Sequence, residues 1–416
     1  MSFDDTRSRW RYSAAFNDLL GHYAPPSPKA LLEWGAGDST LQFHLLAQVS
    51  DAELLLSVDE HAAYHHAVTR GIADQRVLRT ASVALHGPEG VGYEPDRYYY
   101  TTCPIAEDRH FDVILVDGRA RSECLLVAAL LASPDALILL DDCRRIRYSA
   151  AQFFFDTVKV NIKTAALRRK PEFAPWFDGF LDYVKQRGTA NGIAPPRFDP
   201  WPALPELSSV ERASLAEIVG RLSPGAGARV LEWGTPESTA VLCASIDAPS
   251  KYLSVGHTRR GLLSLGTLAR RYTGLTLVDA SLRGDVQDHS RDPNFHYSMA
   301  PFVERERFDF VYVGGLRRNE CLLSTSLLLA EGGRVIVRDG ALPHYAPGTF
   351  LFEVESQEGV FTVLRGRKGL DELLAGYLDG LGEAELTATV TAPADAKERD
   401  AEEHYLRGFL DGLGPA

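Results

Sequence analysis

The sequence predicts a doubly wound α/β fold, present twice in tandem. Three observations carry this reading. First, LEWGAGDST at Leu32–Thr40 returns as LEWGTPEST at Leu231–Thr239, 199 positions on, and FDVILVDGRARSECLL at Phe111–Leu126 returns as FDFVYVGGLRRNECLL at Phe308–Leu323, 197 positions on, with nine of sixteen positions identical. Tyr100 and Pro104 find Tyr297 and Pro301, Asp142 finds Asp339, Tyr148 finds Tyr345, and the GFLD at Gly179 finds the GYLD at Gly376. Self-similarity at a fixed period marks a repeated structural unit. Second, short apolar runs alternate with helical patterns, which means βαβ units and a mostly parallel sheet. Third, acids and glycines gather at the ends of the apolar runs of the first copy, where open α/β sheets bind their ligands.

The elements follow in order. Residues 4–22 read as an amphipathic helix carrying Trp10, Phe16, Leu19 and Leu20, ended by Gly21 and the Pro25–Pro28 turn. Ala30–Trp34 is a short apolar strand, Gly35–Gly37 a tight turn, and Ser39–Thr40 open a helix running to about Gln48. Leu54–Val58 is the second strand, ended by Asp59, and a helix from His61 to about Thr69 follows. Arg76–Leu85 supplies a third strand, and His86–Pro104 reads as an irregular aromatic segment. Phe111–Val116 is a strand ending at Asp117, Glu123–Leu131 a helix, and Ala136–Leu140 a strand capped by Asp141 and Asp142. Phe153–Val160 and Thr164–Arg168 form a closing hairpin, matched by Phe350–Glu355 and Gly359–Leu364. The domains expected are 1–185 and 210–382, joined by a Pro- and Gly-rich linker at 186–209. The tail 383–416 has a polar half of disordered composition. Its end repeats the GYLDGLG of 376–382 as GFLDGLG, an amphipathic segment suited to docking on a partner, or on a domain in place of that helix.

Composition sets the function classes. At 416 residues, 45% hydrophobic and 24% charged, the chain is an ordinary globular protein with ample core. A net charge of −12 argues against broad binding of nucleic acid or anionic membranes. The five cysteines contain no CxxC pair, so neither a disulfide framework nor a zinc ribbon is suggested, and Cys124 and Cys321 read as core. The first residues carry no signal-peptide apolar region, and the longest apolar stretch is broken by Ser133-Pro134-Asp135. A cytoplasmic protein is expected.

Taken together, Glu33-x-Gly35-x-Gly37 with Ser39-Thr40 behind it, Asp59 ending the second strand, Asp117 ending the fourth and the terminal hairpin resemble the class I S-adenosylmethionine (SAM)-dependent methyltransferases. The likeness covers residues 28–170 well and 227–368 more weakly. It implies two Rossmann-like sheets of seven strands with the last strand antiparallel, and SAM over the glycine turn. Gly35, Ala36, Gly37, Ser39 and Thr40 would line the cofactor with Glu60 and Asp117, Asp59 would take the ribose hydroxyls, and Glu33 would reach the methionyl amino group. The residues themselves agree: glycines let a backbone approach a ligand closely, and an acid after a second strand can accept two hydroxyl hydrogen bonds. A nicotinamide enzyme fits less well, because Thr40 stands where a third glycine would be. The usual acid after the third strand is absent from the first copy, which has Thr80-Ala81-Ser82 against Asp279-Ala280-Ser281 in the second.

The second copy serves as an internal control. Its turn reads Gly234-Thr235-Pro236-Glu237, and Asp59, Asp117, Arg119 and Asp141 become Gly256, Gly314, Leu316 and Arg338. Core kept while site residues vanish reads as a structural or interaction domain. In the first copy, Asp117, Asp142 and Arg119 are the candidate catalytic residues. Asp117, Asp141 and Asp142 also offer hard oxygen ligands for Mg²⁺, a pattern similar to the metal-dependent O-methyltransferases, where the ion would hold an acceptor's vicinal oxygens. Two other readings stay open: Asp142, kept as Asp339, as a structural cap, and the acids as partners of Arg144, Arg145 or Arg147. Arg119 is the better candidate to clamp an anionic acceptor, since Arg121 persists as Arg318 and reads as structural. The Tyr98–Tyr100 cluster offers a pocket wall, although Tyr100 reads as core, and His65 and His66 read as solvated. The expected reaction is methyl transfer to oxygen on a small molecule or sugar, with no nucleic-acid or membrane partner and a homodimer formed through the second domain or tail. The alternatives are a non-catalytic SAM-binding scaffold and a different SAM or nucleotide enzyme.

Overall fold

A computed structural model describes residues 14–70, 72, 76–83, 94–144, 148–161, 163–187, 206–256, 265, 272, 274–279 and 297–380. The first half contains α1 (Ala14–Tyr23), β1 (Ala30–Trp34), α2 (Asp38–Ser50), β2 (Leu54–Asp59), α3 (Ala62–Arg70), β3 (Leu78–Ser82), α4 (Glu94–Thr102), β4 (Phe111–Val116), α5 (Arg121–Leu131), β5 (Ala132–Leu140), β6 (Phe155–Asn161), β7 (Thr164–Arg169) and α6 (Phe180–Gln186). The second half contains α7 (Ser209–Leu222), β8 (Arg229–Trp233), α8 (Pro236–Ser245), β9 (Lys251–Gly256), β10 (Leu275–Asp279), β11 (Phe308–Val313), α9 (Arg318–Leu328), β12 (Leu329–Arg338), β13 (Phe352–Glu358), β14 (Phe361–Gly366) and α10 (Leu370–Gly380).

Two seven-stranded sheets result, ordered β3-β2-β1-β4-β5-β7-β6 and β10-β9-β8-β11-β12-β14-β13. The strands run parallel except β7, antiparallel to β5 and β6, and β14, antiparallel to β12 and β13. The central strands are continuous apolar runs because helices cover both faces; every residue of β1 and β2 is buried. Strand order reverses between β1 and β4, and again between β8 and β11, which sets a crevice at their carboxyl ends. The repeat extends to backbone strain. Asp108, Ala120 and Asp142 adopt left-handed conformations (φ 51, 52 and 52°), and so do their counterparts Arg305, Arg317 and Asp339 (φ 51, 55 and 58°).

The segment expected to be irregular instead holds α4 and a 3₁₀ turn at Cys103–Glu107. Pro95 in the first turn is compatible with a helix, and burial of Tyr98 and Tyr100 fixes the rest. Residues 1–13, 84–93 and 188–205, on which other expectations fell, lie outside the described residues, as does the tail beyond Gly380. No described helix is long and apolar enough to cross a membrane.

The halves pack through α5 and α9, and one apolar core runs through both. Residues 123–131 of α5 are all buried, because one face meets its own sheet and the other meets α9. The contacts are reciprocal. Phe180 meets Phe350 edge-on at 5.1 Å and 73°, while their counterparts Tyr377 and Phe153 meet at 5.3 Å and 75°. Lys170 lies 4.4 Å over Phe153, and its counterpart Arg367 lies 4.5 Å over Phe350. Residue i meeting j′ while j meets i′ is the signature of a two-fold, isologous interface. The chain is therefore built as a covalently joined pseudo-dimer.

Candidate functional site

At the crevice of the first half, the turns after β1 and β4 lie directly against each other. Gly35 has φ +99°, and a Cβ there would stand 2.7 Å from the Gly118 nitrogen. Only glycine satisfies both demands. Gly118 is equally constrained, since a Cβ on it would meet the Tyr100 hydroxyl at 1.9 Å. Tyr100 is fully buried in α4, and its carbonyl accepts from Trp34 Nε1 at 2.9 Å. The same device recurs in the second half, where Gly315 faces the Tyr297 hydroxyl and Trp233 donates to Tyr297 at 2.6 Å.

Asp59 closes the glycine turn from the side. Its Oδ2 accepts from Ala36 N at 2.8 Å and its Oδ1 from His61 N at 2.7 Å, with 5% of the residue exposed. Gly37 N donates to Thr40 Oγ1 at 3.0 Å. Turn and acid thus converge on one point at the ends of β1 and β2. Beyond it, Arg119 Nε donates to Glu60 Oε1 at 2.7 Å, at the rim.

Glu33 faces inward. It is fully buried, with Oε1 accepting from Ser57 at 2.6 Å and Oε2 from Ser39 at 2.9 Å. Burial pushes its carboxyl up to about 7, against the lowering hydrogen bonds of Ser57, Thr40 and Ser39. Ser57 also meets His65 Nε2 at 3.0 Å, and His65 Nδ1 meets Ser82 Oγ at 2.8 Å. His65 is therefore a core residue, 1% exposed, rather than the solvated histidine expected from its place in a polar-looking helix. Desolvation lowers its pKa, which keeps the imidazole neutral. The second half repeats the arrangement, with Glu232 accepting from Ser238 at 2.5 Å and from Tyr252 at 2.6 Å.

Asp117, Asp141 and Asp142 do come together, but around Arg121. Its NH2 donates to Asp117 Oδ1 at 3.0 Å and to the Asp117 carbonyl at 2.7 Å, its NH1 to the Asp141 carbonyl at 2.5 Å, and its Nε to the Gly118 carbonyl at 2.9 Å. Asp142 Oδ2 lies 3.4 Å from NH1. Lys163 Nζ and Thr164 Oγ1 each reach Asp141 at 3.0 Å. Burial would raise the Asp141 carboxyl; Lys163, Asp117 and Arg121 outweigh it and hold the group low. Nothing in this arrangement supports the Mg²⁺ assignment to these three acids. Among the described residues, the positive charge they gather is a guanidinium and an ammonium, and no cluster of three or more His, Cys, Asp or Glu has a metal-holding arrangement. Arg145 and Arg147, the other partners considered for these acids, lie outside the described residues; among those described, Arg121 pairs with Asp117 and Asp142.

The same clasp stands in the second half. Arg318, 1% exposed, donates to Asp339 Oδ2 at 3.1 Å and to Tyr345 at 2.9 Å and lies 4.8 Å from the Tyr345 ring centre; Arg121 lies 6.0 Å from that of Tyr148. Tyr98, expected as a pocket wall of its own half, reaches the other. Its hydroxyl accepts from Arg318 N at 3.2 Å, and its ring stacks on His344 at 5.1 Å and meets Tyr345 at 4.8 Å. Arg338, where the first half has Asp141, is buried and donates to Glu211 at 2.7 Å. The reach of Tyr98 into the other half and the burial of His65 were missed because each is placed by tertiary contact. The Arg121 clasp had a signal: Arg121, Asp142 and Tyr148 are retained together.

In each sheet one antiparallel strand is inserted between the fifth and sixth strands, after a switch point that carries the turn and strand-end residues just described. Each half has the class I methyltransferase fold. The sequence matches no protein-family model and no curated protein. Solved structures with likeness to it include a methyltransferase-like protein of Silicibacter pomeroyi, 19% identical over 41% of this chain and 95% of its own, TM-score 0.29. Fibrillarin of Aeropyrum pernix, solved with S-adenosyl-L-methionine bound, is 15% identical over 37% of this chain and 74% of its own, TM-score 0.28. The N-methyltransferase NodS of Bradyrhizobium japonicum is 14% identical over 38% of this chain and 96% of its own, TM-score 0.25. Within this methyltransferase fold, the first half keeps an acid and a glycine turn meeting at the switch point, and the second half has Gly256 and Pro236 in their place.

Proposed function

We propose that the chain is a SAM-dependent methyltransferase whose first half binds the cofactor and whose second half is structural. One observation carries this reading. Asp59 is fastened to the Ala36 nitrogen at 2.8 Å, so that acid and glycine turn present a single preformed surface, and Gly256 removes the acid from the other half. The residues fit the group. A carboxylate beside a turn with no side chain larger than the Ala36 methyl suits a nucleoside with vicinal hydroxyls. Gly35, Ala36, Gly37, Ser39 and Thr40 would hold the cofactor with Glu60 and Asp117, and Asp59 would orient its ribose. Glu33 acts from behind the turn, through Ser39, rather than on a methionyl amino group.

Bound SAM would supply a methyl group on an electrophilic sulfonium. The chain's part is positioning and exclusion of water, which provide most of the acceleration in an in-line transfer. Arg119, at the rim and braced by Glu60, would hold an anionic group of a small-molecule or sugar acceptor. Asp117 and Asp142 would face that acceptor with their charge partly offset by Arg121. This favours an oxygen acceptor that arrives without a metal. Tyr98, wedged against Arg318, His344 and Tyr345, supports the inactive reading of the second half, because that side of its crevice is filled by the first.

Calorimetric titration with SAM and with its demethylated product tests the proposal. One site per chain is expected, weakened at least tenfold in Asp59→Asn and unchanged in Gly256→Ala. Two sites, or an unaffected Asp59→Asn protein with native melting, would overturn it. A non-catalytic scaffold is favoured by the pairing of Asp117 and Asp142 with Arg121. It predicts SAM binding without release of the demethylated product across an acceptor panel.

A further inference from the structure

A short pattern occurs three times in the chain: an apolar residue, one spacer, then Gly, an aromatic, Leu and Asp. It reads Phe177-Asp178-Gly179-Phe180-Leu181-Asp182, Leu374-Ala375-Gly376-Tyr377-Leu378-Asp379 and Leu406-Arg407-Gly408-Phe409-Leu410-Asp411. The first two copies are docked, and the aromatic of each reaches a phenylalanine of the opposite half. Phe180 of α6 packs on Phe350, and Tyr377 of α10 packs on Phe153 at 5.3 Å and Phe302 at 5.4 Å. The seat of α10 is fully specified. Leu370 and Leu374 are buried, the Tyr377 hydroxyl pairs with Ser149 at 2.8 Å, and Arg307 donates to the Ala375 carbonyl at 2.7 Å.

The third copy matches the second closely, with seven identical residues in ten between 373–382 and 405–414. We propose that residues 406–414 are a second key for the seat of α10, able to take its place on Phe153 and Phe302 within the same chain. Residues 381–405 join the two keys. A random coil of that many residues would span about 25–30 Å on average. A tether of this length places the tail at a local concentration in the millimolar range, far above that of any second chain at ordinary working concentrations. Of the residues buried in the seat, Leu374 is kept as Leu406 and the aromatic ring of Tyr377 as that of Phe409. The Ala375 carbonyl contact is a backbone one, which Arg407 can equally make.

Two differences decide which key holds the seat. Phe409 lacks the hydroxyl that pairs Tyr377 with Ser149, and Glu402 stands where Leu370 is buried. Both favour α10, so the tail is the minor occupant of the wild-type protein and the principal one when α10 is weakened. Exchange frees α10, whose Leu374 and Tyr377 then lie open.

The test is a two-by-two cycle in the full-length chain, read by melting temperature. Phe409→Asp alone is expected to shift the melt by less than about 1 °C, and in a Tyr377→Ala background by about 3 °C or more. A milder second background, Ser149→Ala, removes only the hydroxyl pair and is expected to show the same sign. Additive effects in both backgrounds overturn the proposal, as does a Tyr377→Ala protein that fails to fold with Phe409 intact. An extra loss that varies with protein concentration over a hundredfold range would place the tail of a second chain in the seat and overturn the intrachain form.

Discussion

Arg97 and Glu320 form a buried ion pair between the two halves, and Arg97 holds Glu123, the counterpart of Glu320, at 2.9 Å with its other edge. Arg97 thus bridges two equivalent carboxylates across the pseudo-two-fold, all three side chains being 8% exposed or less. An axis that relates two like charges concentrates repulsion, and one asymmetric residue relieves it.

Replacing Arg97 with Met leaves both carboxylates buried without that cation, a loss of about 3–5 kcal/mol. Urea unfolding at pH 7 measures it. Adding Glu320→Gln to Arg97→Met should recover part of the loss, and unchanged stability in the single variant would remove the charge from the account of the interface.

Arg318 and Arg121 make the same clasp at different depths. Arg318→Met should cost about 3–5 kcal/mol, because its side chain is 1% exposed beside Asp339 and Tyr345. Arg121→Met, with its side chain 12% exposed, should cost about 1–3 kcal/mol. The order of the two chemical midpoints checks this, and a reversed order would contradict it.

Glu33 ties stability to pH. Its carboxyl titrates near 7 in the folded protein against an ordinary value of 4.5. The folded state then binds more protons across that window, so the contribution is fully present below about pH 4.5 and is lost as pH rises through 7. The full loss is about 3 kcal/mol. Glu33→Gln should match wild type near pH 5 and exceed it at pH 8, as read from denaturant midpoints. A difference that does not vary with pH would count against the buried acid.

Gly118→Ala should destabilise the first half by about 1–3 kcal/mol through the clash with Tyr100, and Gly315→Ala the second by a similar amount through Tyr297. Coupling Gly118→Ala with Tyr100→Phe should return part of the loss in a double-mutant cycle.

The strands were legible in the sequence because both faces of a covered parallel strand are apolar: Leu32, Leu56, Ile114 and Leu139 sit in unbroken runs. The duplication was legible because it needs no physics beyond register. Helix α4 was not, since three successive tyrosines form no stripe, and Tyr98 and Tyr100 are buried in different halves. His65 looked solvated beside His66, and only the approach of Ser57 and Ser82 buries it. The acids Asp117, Asp141 and Asp142 were found as a cluster, but the Arg121 guanidinium among them was not, because charge counting along a chain does not say which arginine folds back. The spacing of four between Asp117 and Arg121 at the head of α5 was the available clue.

The crossed docking of α6 bears on how the chain is made. Phe180 closes on Phe350, so the first half leaves the ribosome with that ring unpartnered across the interface and the flank of α5 that meets α9 bare. At typical elongation speeds the second half catches up only after about 10–35 s. During that interval the nascent first half displays the surface that a free dimer subunit would show, and neighbouring chains on one messenger are its nearest alternative partners. Synthesis in one piece resolves the competition, because the correct partner is always the next thing to emerge.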